Sequence, residues 1–298
     1  MSDAKKGGRE LLYTALAAYV DQQHAEQKSR KWRWRFILVS MAIYMIFNVV
    51  YMLSKDQHLA VSGNYAAVVR VDGEINVGKL ASTDVLFPVL EKAFADKKAA
   101  CVALVVNSPG GTVGQSQMLH DRIRKLAKQN DKKVIAVGED LVASGGYLVA
   151  SSASRIYAPT MAAVGSIGVR LDGYDLTGIA EKLGIKDRTF TAGTMKDMVN
   201  PLRPVTPEAE AKIRHDVEQI HSEFIRMVKE SRGDRLKLPD DKLFTGEVFT
   251  GMDGKAFGLL DGNLDLEDAV KADCGADSVV AYEPKLGPGQ LLNMLMGR

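Results

Sequence analysis

Cysteine is scarce. Cys101 and Cys274 are the only two in 298 residues, far apart and in no metal-binding or redox spacing. A framework of several disulfides is excluded. A single bridge stays open, but buried free thiols are the expected state, because Cys101 opens a strongly apolar run. Charge of one sign is lacking as well: 39 basic residues stand against 37 acidic ones, net +2. That balance gives no reason to expect nucleic acid or an acidic polymer as a partner. The dinucleotide spacing Gly-x-Gly-x-x-Gly is absent, and no Lys-Ser or Lys-Thr follows a glycine loop, so a nucleotide is not expected. No metal-ligand spacing or paired-carboxylate pattern stands out, and no cofactor or metal is expected.

Long hydrophobic runs are also lacking, with one exception. Residues 36–53 read FILVSMAIYMIFNVVYML, 18 residues without a charge. At helical rise they span roughly 27 Å, close to the hydrocarbon thickness of a bilayer. Lys28, Arg30, Lys31, Arg33 and Arg35 crowd the preceding edge, with Trp32 and Trp34 among them. The run starts too late and is too long for a cleaved signal peptide. The reading is a single transmembrane helix over 36–53 with a cytoplasmic N-terminal segment, 1–35. The remainder then lies on the periplasmic or extracellular side of the inner or plasma membrane. Leu12, Ala15, Leu16, Tyr19 and Val20 have helical spacing ahead of it.

With 46% hydrophobic and 26% charged residues the rest is an ordinary globular chain. Residues 54–64 read as a linker, 65–284 as one domain, and 285–298, broken by Gly287-Pro288-Gly289, as a tail. Strands are expected over 65–71, 101–106, 134–137 and 156–158, and helices over 83–97, 113–129 and 144–154. A further helix starts at Thr206-Pro207, with Thr as cap and Pro in the first turn, and ends at Gly233. Strands alternating with helices predict an α/β fold with largely parallel pairing.

Three clusters of small residues each follow a buried strand: Asn107-Ser108-Pro109-Gly110-Gly111-Thr112, Ala143-Ser144-Gly145-Gly146-Tyr147, and Gly165-Ser166-Ile167-Gly168-Val169. Each could be a tight turn, and Ser144 could be a mere helix cap. Three within one α/β unit favour a site where backbone approaches a ligand closely. Ser144 at a helix start is placed to act as a nucleophile, and the amides of Gly110 and Gly111 can face an oxyanion. A serine nucleophile needs a base. His24 and His58 lie in or before the linker, and His215 and His221 in a polar helix. His120 is the only attractive histidine, although a place on a helix surface is the expected one. A lysine is the other choice; to accept a proton it must be desolvated or set beside positive charge.

The ordered motifs NSPGG, ASGGY, GSIGV and Gly193-Thr194-Met195-Lys196 resemble the signal peptide peptidase A family of Ser-Lys serine proteases, over about residues 65–262. The resemblance implies a Clp protease/crotonase-like fold and a short, single-copy form. It implies Ser144 as nucleophile, Lys196 as general base, Ser166 as the hydroxyl positioning the lysine amine, and Gly110 and Gly111 as the oxyanion hole. It implies no metal and no cofactor. Active sites completed between neighbouring protomers imply a homo-oligomeric ring, and apolar peptides such as remnant signal peptides are the implied substrates. Met195 stands where an aromatic residue is usual and Leu202 where Phe is usual, so pocket shape is altered more than chemistry. The alternatives are a catalytically inactive protease-like scaffold and a crotonase-like acyl-CoA enzyme; the latter would use carboxylates and have no need of Lys196.

Overall fold

The computed structural model describes residues 32, 34–49 and 64–284. The chain divides into two units, Met1–Ala60 and Val61–Arg298. In the first, residues 34–49 are helical and exposed throughout. Among the described residues no helix is long and apolar enough to cross a membrane. Residues 50–53 of the apolar run, the helical pattern over 10–27, most of the linker, His24, His58 and the tail lie outside the described residues.

The second unit is built on a seven-stranded sheet: β1 (Tyr65–Asp72), β2 (Ala99–Ser108), β3 (Val134–Ala143), β4 (Arg155–Tyr157), β5 (Ala163–Gly165), β6 (Val248–Thr250) and β7 (Ser278–Tyr282). The order is β6-β5-β3-β2-β1-β7, with β4 also alongside β3. Every pairing is parallel except β5 with β6. An α/β architecture with a largely parallel sheet is thus what the alternation predicted.

The central strands are apolar on both faces because both are covered. Val69, Val102, Leu104 and Ala136 join one core with α1 (Thr83–Ala95), α2 (Val113–Gln129), α3 (Gly145–Ala150) and the C-terminal half of α5 (Pro207–Arg232). Val68, Cys101, Ala103, Val105 and Ile135 alternate to the opposite face. There they meet Ala269 and Val270 of α8 (Leu266–Cys274), the last helix among the described residues, after α6 (Asp240–Leu243) and α7 (Gly251–Phe257).

Local signals placed several termini correctly. The Thr206 hydroxyl accepts the Ala209 amide, Pro207 opens α5, and Gly233 follows its last turn at φ 53°. Other boundaries moved. β3 continues past Val137 to Ala143, because its second half finds a different neighbour: Leu141, Val142 and Ala143 pair with Ala163, Val164 and Gly165 of β5. The charge of Glu139 in that extension is met by Arg70 of β1. The helix expected over 144–154 stops at Ala150; past its end the Ser152 and Ser154 hydroxyls donate to Val149 and Val134 carbonyls, the competition with helical bonding expected of serine.

The cysteines are a correction. Cys101 and Cys274 form a disulfide and are not free thiols. Cys101 sits on the face of β2 that α8 covers, and Cys274 ends α8, so packing brings together residues 173 positions apart.

Between β5 and α5 the chain leaves the body. In residues 166–205 only the short helix α4 (Thr177–Lys182) is regular. This arm is held together internally, by Arg203 with Asp187 and Asp197, Asn200 with the same two carboxylates, and the Leu176 amide on the Pro201 carbonyl. Ile167 at its start stays in the core, but several of its other apolar side chains face outward, with Tyr174 80% and Phe190 96% exposed.

Candidate active site

Ser144 occupies the turn between β3 and α3. Its backbone takes φ 52°, ψ −125°, a conformation rare for a residue with a side chain and costing about 1–3 kcal/mol. The turn is held from both sides: the Ser144 amide donates to the Gly165 carbonyl at 2.8 Å, and its carbonyl accepts the Leu148 amide at 3.0 Å. Tyr147, fully buried in α3, donates its hydroxyl to the Leu259 carbonyl. Although Ser144 stands at the N-cap, its side chain makes no capping bond. The simple capping role is therefore not the one it fills, and its Oγ is left free of the helix.

The glycines around it are required by contact. A Cβ on Gly110 would meet Ser144 Cβ at 2.7 Å and the Gly145 nitrogen at 2.6 Å; one on Gly145 would meet Ser116 Oγ of α2 at 2.2 Å. One on Gly111 would lie 2.1 Å from the Ile75 carbonyl oxygen. The loop after β2 is stitched to the segment after β1: the Ile75 amide donates to the Gly110 carbonyl at 2.9 Å, and the Thr112 amide to the Ile75 carbonyl at 3.0 Å.

The two expected oxyanion donors are not equivalent. The Gly110 amide is turned inward to Ser108 Oγ at 3.1 Å and is occupied. The peptide joining Gly110 to Gly111 points its carbonyl at Ile75, so, being trans, it points the Gly111 N–H the other way. Among the described residues that N–H has no acceptor. The Gly145 amide, first in α3, is a second donor without an intrahelical partner, and it was not singled out from sequence.

The loop after β5 completes the turn's surroundings. Ser166 lies next to Gly165, which holds the Ser144 amide; it too has positive φ, 51°, and its amide donates to the Glu247 carbonyl at 2.8 Å. Gly168 abuts Gly246, so closely that a Cβ would fall 2.9 Å from the Gly246 Cα. His221 of α5 donates from Nε2 to the Ile167 carbonyl at 3.1 Å; the carbonyl can only accept, which fixes the proton on that nitrogen. Nothing in its polar surroundings in the sequence marked His221 for this.

Lys196 stands apart from this cluster. It lies exposed on the arm, its amide donating to the Gly193 carbonyl, and its side chain has no hydrogen bond or ion pair among the described residues. Ser144, Gly110, Gly111 and Ser166 are thus gathered by the sheet, and Lys196 is carried on the outlying segment. His120 corrects another expectation. It is not on the surface but 3% exposed, with Nδ1 3.0 Å from Asp121 and Nε2 without a partner. No hydrogen bond joins it to Ser144. No group of His, Cys, Asp or Glu able to hold a metal ion occurs among the described residues.

A strained serine at a strand-to-helix turn, beside an open glycine amide, suits covalent attack on a carbonyl. The profile of peptidase family S49 matches residues 126–276, half of the chain. The chain belongs to peptidase family S49. Among similar proteins is a putative protease of Methanocaldococcus jannaschii, 38% identical over 187 residues, 61% of this chain and 58% of that one. The putative signal peptide peptidase SppA of Enterococcus faecium is 31% identical over 181 residues, 61% of this chain and 52% of that one. A Brucella abortus protein named Na(+)/H(+) antiporter NhaA is 39% identical over 216 residues, 70% of this chain but only 29% of that one. Most of the antiporter-named chain lies outside the match, and its name says nothing of the S49 stretch. The chain spans from under a third to little more than half the length of these relatives.

Proposed function

We propose that this S49 peptidase is a membrane-anchored serine endopeptidase with a Ser144–Lys196 dyad, cleaving apolar peptides such as remnant signal peptides. The observation that carries the reading is the Ser144 turn: a non-glycine residue at φ 52°, free of any capping bond, beside the outward Gly111 amide. Lys196, as the free amine, takes the Ser144 proton as Oγ attacks the peptide carbonyl. Oxyanion charge falls to the Gly111 amide, joined by that of Gly145 at the helix start. The leaving amine takes the proton, and water then releases the acyl-enzyme. Ser166 orients the lysine amine.

Lys196 reaches this site from a neighbouring copy. Its place on the arm and the arm's outward Tyr174 and Phe190 support a homo-oligomeric ring in which each arm covers the next body, since exposed apolar patches of this kind mark interaction surfaces. The fold is taken to be of the Clp protease/crotonase type. The basic flank and apolar run 36–53 support an anchor with its N-terminus in the cytoplasm and the catalytic domain on the far side. The Cys101–Cys274 bridge suits an oxidising compartment there.

The test uses the full chain in detergent, with an unfolded protein and apolar fluorogenic peptides as substrates. Ser144→Ala and Lys196→Ala each abolish cleavage while the protein stays folded and assembled. Mixing the two inactive proteins under conditions that exchange protomers restores part of the activity, because some sites then receive an intact serine and an intact lysine. Cleavage by Ser144→Ala would sink the nucleophile assignment. A wild type inactive on every peptide would favour the scaffold reading.

A further inference from the structure

We propose that Ser108 is a positioning residue of the oxyanion hole: its hydroxyl holds the Gly110 amide inward so that the Gly111 amide alone, of the two, is presented to the substrate. The inference rests on the reading of Ser144 as the nucleophile. Ser108 ends β2 and is fully buried. Its single hydroxyl proton goes to the Gly73 carbonyl at 2.6 Å, and its oxygen accepts the Gly110 amide at 3.1 Å. One side chain therefore ties the turn after β1 to the loop after β2. The Gly73 amide returns a bond to the Asn107 carbonyl at 2.9 Å, which closes the junction.

The consequence for Gly111 is geometric. With the Gly110 amide pinned to Ser108 and the Gly110 carbonyl pinned to the Ile75 amide at 2.9 Å, both peptide planes flanking Gly110 are set. Gly110 itself, at φ 93°, is a residue whose freedom would otherwise let those planes rotate. Ser108 thus removes, before substrate arrives, the motion that would misdirect the Gly111 N–H, and an oxyanion hole stabilises charge only to the extent that its donors are fixed in advance. Ser108 also touches the nucleophile's helix: a Cβ on Gly146 would fall 2.8 Å from the Ser108 carbonyl oxygen and 3.0 Å from its Cβ. The residue that fixes the donor loop is packed on the element that carries Ser144.

The experiment separates binding of charge from binding of substrate. In the full-length enzyme, Ser108→Ala and Ser108→Cys are compared with wild type for assembly and thermal melting, and then for three quantities. The first is kcat on a fluorogenic peptide. The second is inhibition by the corresponding peptide aldehyde. There the Ser144 Oγ–carbon bond forms, the serine proton passes to the base, and the carbonyl electron pair becomes an oxyanion in the hole. The third is the Kd of the uncleaved peptide, measured with each Ser108 substitution placed in a Ser144→Ala background. The expected result is a fall in kcat of about 10- to 100-fold, smaller than for removal of a donor outright. Aldehyde affinity falls by a similar factor, peptide Kd changes by less than about twofold, and the Cys variant lies between Ala and wild type. Equal weakening of aldehyde and peptide would overturn the proposal, since that is what a collapsed groove does, as would an unchanged kcat in both variants. Cleavage by Ser144→Ala alone would instead remove the reading on which the proposal stands, and it is seen before any Ser108 variant is made.

Discussion

Gly110 and Ser144 touch: a methyl on Gly110 would fall 2.7 Å from the Ser144 Cβ and 2.6 Å from the Gly145 nitrogen. No flexible side-chain end is available to give way, because those atoms are a Cβ and a backbone amide. Gly110 also sits at φ 93°, which for alanine adds strain of about 1–3 kcal/mol. Gly110→Ala is therefore expected to push the serine turn and the donor loop apart. We expect kcat/KM to fall by at least about 100-fold, comparable to loss of an oxyanion donor, with a lowered melting temperature but a folded protein. Steady-state kinetics and a thermal melt check this, and near-normal cleavage would show that the two loops tolerate separation.

The disulfide closes a loop of 173 residues, from β2 to the end of α8. Such a link restricts the unfolded chain strongly, and its loss costs about 3–5 kcal/mol. Cys101→Ser with Cys274→Ser is expected to lower the denaturation midpoint accordingly and to make the protein indifferent to reductant. The Ser144 turn rests on the opposite core, so cleavage at 25 °C should persist. Equal midpoints with and without reductant in the wild type would contradict this.

The division between what was legible and what was not follows from the range of the forces involved. Val113–Gln129, the cap of α5 at Thr206 and its stop at Gly233 were readable because caps and helical periodicity act within a few residues. The buried character of β2 was readable because strands covered on both faces are apolar throughout. The cluster of Ser144, Gly110, Gly111 and Ser166 was readable because turns of this kind demand small residues. The extension of β3 past Val137 was hidden, because Glu139 depends on Arg70 and Leu141 on Ala163, partners remote in sequence. So was the pairing of Cys101, which depends on α8. The sequence also gave no sign that the Gly110 amide would be claimed by Ser108, or that Lys196 would lie on an arm outside the body.

His120 makes acid destabilising. Burial pushes its pKa below the usual 6.5, and the adjacent Asp121 only partly opposes this. Charges near it are Asp121 and Arg124 on α2 and Glu230 on α5. With the folded pKa depressed, both states are neutral above pH 6.5 and the residue contributes nothing to pH dependence there. As pH falls below 6.5 the unfolded chain takes up the proton first, so stability is lost progressively until the folded pKa is reached. Denaturant melts of the wild type are expected to lose stability from about pH 6.5 downward. His120→Leu is expected to flatten that part of the profile while leaving the steeper loss below about pH 4. There the unfolded chain's carboxylates take up protons before Asp261 does in the folded protein, since burial is outweighed by Arg232, which holds the Asp261 carboxyl low. An unchanged slope between pH 6.5 and 5 in the variant would assign the loss elsewhere.

His221 tests whether the Ser166 loop needs an external brace. Its Nε2–H reaches the Ile167 carbonyl at 3.1 Å, one residue beyond Ser166, which is itself held at φ 51°. Among the described residues the carbonyl has no other donor, so His221→Ala leaves it without a protein partner there and releases the loop on the side of α5. A bond of this kind is worth about 1 kcal/mol, and an effect passed wholly into Ser166 placement corresponds to roughly a fivefold loss of kcat with little change in KM. His221→Gln offers an amide N–H at a similar reach and is expected to recover most of that loss, while melting temperatures of the two variants stay close. Equal impairment in both variants would mean that the ring's bulk matters rather than its hydrogen bond. Wild-type rates in the Ala variant would mean that Gly165 and the Glu247 carbonyl hold the loop without help from α5.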